Sequence, residues 1–173
     1  MSDVLTLDTK VTLPDFTLVS ASAGCGKTTA LTQRFIQILL SDHIPHNRLK
    51  NIVAITFTNN AASEMKQRIL KVLKLASFGD PEVIGELRHI LSLDEGELRK
   101  RSGRAVDLIL DEYTDFQVQT IDSFLSRVLT VSAAEFGITP DVNIVLDTTP
   151  ILNEAFELLA QELGRDREKR LLL

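Results

Sequence analysis

With a single cysteine, Cys25, among its 173 residues, the chain can close no internal disulfide and has no second thiol for a zinc site. No apolar run approaches the length of a transmembrane span, which predicts a water-soluble protein with no membrane partner. Residues 1–15 lack the basic start and apolar stretch of a signal peptide and carry Asp3, Asp8 and Asp15 instead, so the expected compartment is cytoplasmic. Positive charge is not in excess either. The formal net charge of -5 argues against coating nucleic acid by bulk electrostatics, although a local DNA path stays open. The notable basic cluster, Lys66, Arg68, Lys71 and Lys74, suits such a path and a solvated helix face equally. Internal repeats and low-complexity tracts are also missing.

What is present fits one globular domain, with 44% hydrophobic and 25% charged residues. Residues 16–20 form a short apolar run that leads into a glycine-bearing segment, as a buried strand does when it turns into a helix. From Lys27, the residues Ala30, Leu31, Phe35, Ile38 and Leu39 recur at helical steps and stop near Ser41, ahead of Pro45. Residues 51–57 read as a second strand, long enough after the first for a βαβ crossover. Asn59 or Asn60 is positioned to cap a helix with Ala61, Met65, Ile69, Val72 and Leu73 on one face, ending near Phe78-Gly79. Residues 80–105 suggest short helices broken at Pro81, Gly85, Gly96 and Gly103. Strand character returns over 116–121 and helical spacing over 123–136. A brief strand over 143–146 then precedes a helix started by Pro150, which runs through Phe156, Leu159 and Leu163.

The chemistry concentrates in Ala21-Ser22-Ala23-Gly24-Cys25-Gly26-Lys27-Thr28, which meets the phosphate-loop pattern G-x-x-x-x-G-K-S/T everywhere except its first position. Backbone N–H groups in such a loop form an anion-binding nest, and the following helix adds the positive end of its dipole. Gly24 and Gly26 permit close backbone approach. Lys27 supplies a point charge to the β and γ phosphates of ATP, and the Thr28 hydroxyl is the expected Mg²⁺ ligand. Thr29 continues the nucleotide-binding turn, while Cys25 reads as a small loop residue rather than a redox centre.

A phosphate loop alone does not choose among kinases, GTPases, transporters and motors. The segment Ile55-Thr56-Phe57-Thr58-Asn59-Asn60-Ala61-Ala62-Ser63-Glu64-Met65 is more selective. Thr58 and Asn59 offer donors to phosphate oxygens and Phe57 a ring for base stacking, both sequence-tolerant contacts on a single strand. Together with the loop, this segment resembles motif Ia of the UvrD/Rep helicases, T-F-T-N-x-A-A-x-E-M, which follows an ASAG-x-GKT form of the phosphate loop. Ala21 is then the residue the family form carries. Gln119-Thr120-Ile121-Asp122-Ser123-Phe124 is similar to motif Ib, and residues 136–147 to the segment that follows it in RecB and AddA proteins.

The resemblance spans about residues 16–147 and implies an α/β fold, a RecA-like phosphate-loop NTPase lobe with a parallel sheet flanked by helices. It further implies a partial lobe over 1–147 and the helical start of an inserted subdomain over 148–173, an incomplete domain. Implied as well are ATP and Mg²⁺, single-stranded or partly unwound DNA, the rest of a helicase chain, and a second helicase-nuclease subunit. The branch it favours is that of RecB/AddA, like the exodeoxyribonuclease V beta subunit, in DNA recombination and repair. Thr120 and Ser123 join Phe57, Thr58 and Asn59 as candidate DNA contacts. Asp122 does not, because it stands where many relatives have histidine and a carboxylate repels phosphate. No glutamine precedes Gln33, so the adenine-reading glutamine of many relatives has no counterpart before the loop.

Residues 107–115 imitate an acidic metal-binding strand end, Asp111-Glu112. A strand there leaves only a few residues before the strand at 116, where a parallel crossover needs about a dozen. Val106, Ile109, Leu110 and Tyr113 instead match a helix face. With no later acidic strand end, the chain is expected to bind nucleotide weakly and hydrolyse little by itself. Two other functions compete: a nucleotide-gated DNA-binding or assembly module without motor activity, and a small-molecule kinase with a lid over 80–105.

Overall fold

A computed structural model describes residues 5–14, 16–20, 26–133 and 148–165, with side chains through 162. The expected strand over 143–146, the end of the 123–136 helix, and Ala21, Ser22, Ala23, Gly24 and Cys25 lie outside the described residues. The architecture is α/β and mostly helical, in the order α1 (Lys27–Leu40), β1 (Val53–Thr56), α2 (Asn59–Phe78), α3 (Pro81–Ile90), α4 (Glu95–Asp111), β2 (Gln117–Thr120), α5 (Ile121–Ser132) and α6 (Thr149–Arg165). Two compact units divide it, Met1–Leu125 and Ser126–Leu173.

In the first unit β1 and β2 pair in parallel, from Val53 opposite Gln117 to Thr56 opposite Thr120. Helices α2, α3 and α4 make the crossover between them. One face of the sheet, with Ala54 and Val118, packs on the core, whereas Val53 and Ile55 on the other are 41% and 44% exposed. The strand expected over 16–20 does not form: these residues are in no ladder, and Phe16 is 88% exposed. A strand needs a partner for its N–H and C=O groups, and the described sheet consists of β1 and β2 alone. The crossover observed is therefore the one after β1, not the one expected before it.

Helix α2 is the spine of this unit. Met65, Ile69 and Leu73 fall on its expected buried face, joined by Ala62 and Ala76. Its N-cap is Thr58 rather than Asn59 or Asn60, since the Thr58 hydroxyl accepts from the Ala61 N–H at 3.2 Å. Gly79 ends it at φ 80°, with the N–H groups of Gly79 and Asp80 donating to Ala76 and Leu75 carbonyls. That double return is a Schellman motif, and its left-handed residue suits glycine. Asp80 then caps α3 in turn, accepting from Glu82 and Val83.

Glycines do not break the region after α2 as expected. Gly85 lies within α3, and Gly96 and Gly103 lie within α4. A helix tolerates an interior glycine at about 1 kcal/mol, and burial of Leu98, Ser102, Ala105 and Ile109 against the core offsets that cost. The buried face of α4 thus differs from the Val106, Ile109, Leu110 and Tyr113 stripe; Leu110 and Tyr113 are exposed. The imitation strand end is helical all the same: Asp111 closes α4 and Tyr113–Asp115 form a 3₁₀ turn. On α1 the buried set is Thr32, Phe35, Ile36, Gln37 and Leu40, with Leu31 turned outward. Phe35 meets Phe116 edge to face at 5.6 Å, which links α1 to the start of β2.

Two buried polar residues fasten the start of the chain to this core. The Gln37 amide donates to the carbonyls of Thr6 and Ile90, each at 2.7 Å. Asp8 is fully buried and accepts from the Ser41 hydroxyl at 2.7 Å, the Ser92 N–H at 2.9 Å and the Thr9 N–H at 3.0 Å. Burial pushes the Asp8 carboxyl up, but the hydrogen bonds from Ser41 and Ser92 outweigh it and hold the carboxyl below its ordinary 3.8. A carboxyl lowered on folding stabilises the fold above its unfolded pKa, and that stability is lost as pH falls through the folded value. Denaturant midpoints measured from pH 7 down to pH 3 should therefore fall for the wild type. Asp8→Asn should start lower, by about 1–3 kcal/mol for its unmet donors, and lose less on acidification.

In the second unit α6 begins at Thr149 with Pro150 in its first turn, as the sequence predicts. Its Ile151, Leu152, Phe156 and Leu159 are exposed.

Candidate nucleotide and nucleic-acid site

Gly26 immediately precedes α1 and adopts φ 81°, the left-handed region that a side chain resists. Its carbonyl accepts from the Ala30 N–H at 2.9 Å, and no side chain among the described residues caps the helix. Nor does an acidic residue sit in the first turn. A helix N-terminus without side-chain cap or acid, led by a turn glycine, suits an anion. Lys27 and Thr28 are exposed in that turn, and Thr29 is half-buried behind them. An ammonium, a hydroxyl and a helix dipole form a donor set that fits a polyphosphate with its divalent cation.

The second group of candidates gathers at the ends of the two strands. Because Thr56 is in register with Thr120, the starts of α2 and α5 lie side by side. Thr56 donates its hydroxyl to the Thr58 carbonyl at 3.0 Å. Thr120 accepts from the Ser123 N–H at 3.2 Å, and the two hydroxyls lie 2.8 Å apart. A cavity of about 280 Å³ opens here, lined by Asn59, Ser63, Lys66, Gln119, Thr120 and Ser123. Of the predicted contacts, Asn59, Thr120 and Ser123 meet at this cavity. Thr58 is occupied as the α2 cap, and Phe57 stands apart at 90% exposed.

Three further residues had no individual role in the sequence reading. The Lys66 ammonium lies 4.9 Å from the Tyr113 ring centre and 5.7 Å from that of Phe116. It is thus held at the cavity by cation–π attraction. Gln119 Nε2 is buried and has no hydrogen-bond partner among the described residues. Such a donor is costly to leave unmet. Arg68 projects from α2 toward α1, where Nη1 donates to Thr29 Oγ1 at 3.3 Å. Periodicity had placed Lys66 and Arg68 merely on a basic face, because the rings and hydroxyl they meet come from distant parts of the chain.

The family model for the UvrD/REP helicase N-terminal domain matches residues 9–172. The A subunit of the ATP-dependent helicase/nuclease from Lactobacillus delbrueckii subsp. bulgaricus is 35% identical over 151 residues, covering 87% of this chain and 10% of that protein. The protein of the same name from Staphylococcus carnosus is 34% identical over 154 residues, covering 87% of this chain and 12% of the relative. That from Moorella thermoacetica reaches 42% over 81 residues, 47% of this chain and 6% of its own length. The chain thus spans about a tenth of the length of the curated relatives it matches. A match running from the N-terminal segment into the last helix, over both clusters, places this chain in the UvrD/REP helicase N-terminal domain family.

Proposed function

We propose that the whole protein is an ATP-driven DNA helicase like the A subunits of the helicase/nucleases it matches, acting in recombination and repair. This chain supplies the ATP-binding part of its first RecA-like lobe, over 1–147, and the start of a helical insertion over 148–173. Segment 21–28 wraps the triphosphate, with Lys27 at the β and γ phosphates and Thr29 behind it. Mg²⁺, held through Thr28, supplies the remaining charge neutralisation. Phe57, Thr58, Asn59, Thr120 and Ser123 grip one DNA strand, and lobe closure on ATP drives the grip along it. The remaining helicase chain and a second helicase-nuclease subunit complete the machine, which works in the cytoplasm.

The observation that carries this reading is the cavity where both strand ends converge, with a lysine, a buried amide donor and two hydroxyls around it. Lysine, amide and hydroxyl donors of these kinds commonly meet phosphate oxygens of a nucleic-acid backbone. ATP turnover by the whole protein should accordingly rise on adding single-stranded DNA of any sequence, and a turnover indifferent to DNA would reject the motor. Lys66→Gln should weaken binding of an oligothymidylate and flatten its dependence on salt. The slope of log K against log salt should shrink by about 0.7, one phosphate contact on a single strand. Fluorescence anisotropy at several salt concentrations reads this directly.

For the chain by itself, a nucleotide-gated DNA-binding module is the second reading. The acidic pair Asp111 and Glu112 favours it by closing helix α4 instead of a strand. Nothing observed favours the kinase.

A further inference from the structure

Arg68 lies three residues beyond the Ile55 to Met65 segment, on the helix that starts at one cluster and beside the first turn of the other. It lies on α2, whose first residues Asn59 and Ser63 line the strand-end cavity. Its Nη2 donates to Glu64 Oε1 at 2.7 Å, one turn back on the same helix. Its Nη1 donates to Thr29 Oγ1 at 3.3 Å, in the first turn of α1. An ordinary i,i+4 ion pair accounts for the first bond and not for the second.

The sign of the charge is informative. A helix dipole disfavours a cation at the N-terminus, and the first turn of α1 contains no acid. Lys27 and Arg68 nevertheless bring two cations to that end, and Arg68 also pairs with Glu64 on its own helix, α2. An anion seated in the turn would be attracted by both cations and by the helix dipole. At that point the fork between Thr29 and Glu64 draws the start of α1 and the body of α2 into one fixed relation. A planar guanidinium holds two partners in fixed directions, which an ammonium does not.

We propose that Arg68 is a positioning residue that ties the phosphate-binding turn of α1 to the strand-end rim at the start of α2. Through it, nucleotide and single-stranded DNA each strengthen binding of the other. The proposal rests on the nucleotide reading of Lys27 and Thr28, and it assigns Arg68 no contact with either ligand. Because linkage is reciprocal, the effect is one coupling factor measurable from both sides.

The test is the affinity of the whole protein for a non-hydrolysable ATP analogue, with and without an oligothymidylate. The wild type should bind the analogue about fivefold or more tightly with DNA present. Arg68→Gln should bring that factor to about one while each separate affinity changes less than about threefold, and Arg68→Lys should fail to restore it. Glu64→Gln, an isosteric change on an exposed side chain, should give an intermediate factor. It also decides the matter should Arg68→Gln not fold. An undiminished factor in Arg68→Gln, or in Glu64→Gln where that variant must decide, would overturn the proposal. So would rescue by lysine, or a wild type without coupling. Analogue binding that survives Lys27→Ala would instead remove the nucleotide reading beneath it, a result distinct from any of these.

Discussion

Replacing Lys27 with alanine should lower DNA-stimulated ATP turnover of the whole protein at least about a hundredfold, the order lost when one charge-stabilising donor is removed. The ammonium stands exposed in the first turn of α1, beyond a left-handed glycine. Its removal leaves the core untouched, so stability should change by less than about 0.5 kcal/mol. That separation is what distinguishes a working group from a structural one. Steady-state ATPase rates beside a denaturant curve provide it, and a variant that keeps its turnover would refute the assignment. The arginine left beside Thr29 cannot take over, because it is engaged by Glu64 on α2.

The second large effect is one of stability. Phe116 is almost wholly buried at the entrance to β2, edge to face with Phe35 at 5.6 Å and with Tyr113 at 6.2 Å. Phe116→Ala should cost about 3–5 kcal/mol, as large-to-small changes of a buried aromatic do. Phe116→Leu should retain most of that, because its residual cavity is smaller. The same ring supports Lys66 from below at 5.7 Å. In the leucine variant, DNA affinity should therefore fall more than ATP affinity. Thermal melts and separate titrations of the two ligands check both parts. Equal loss of both affinities would mean that Phe116 acts on the fold alone.

These two residues also illustrate what a single sequence can and cannot reveal. The start of α1 at Lys27 was legible because its signal is local: glycine, lysine and threonine sit at fixed spacing before a helix. Helix α2 was legible for a similar reason, since Met65, Ile69 and Leu73 repeat every four residues and Gly79 supplies the left-handed stop. Its cap falls one position before the expected pair, because threonine and asparagine are both good caps and three of them stand in a row.

Features decided by distant partners were not legible. Nothing local marks Asp8 as buried, since its partners lie 33 and 84 residues away, at Ser41 and Ser92. The run at 16–20 has a strand's composition, yet composition cannot supply the neighbour that a ladder needs. Glycines 85, 96 and 103 looked like breaks because burial, which offsets their helix cost, belongs to the tertiary level. In the site the same division holds. Asn59, Thr120 and Ser123 came from motifs, whereas the contacts of Lys66 and Arg68 and the burial of Gln119 depend on what other elements bring beside them.

The anion site where Gly26 turns into α1 is tested most directly by equilibrium binding of a fluorescent ATP analogue to this 173-residue chain. Binding should be saturable, displaced by ATP, strengthened by Mg²⁺ and lost in Lys27→Ala. Affinity that is the same in wild type and Lys27→Ala would contradict it.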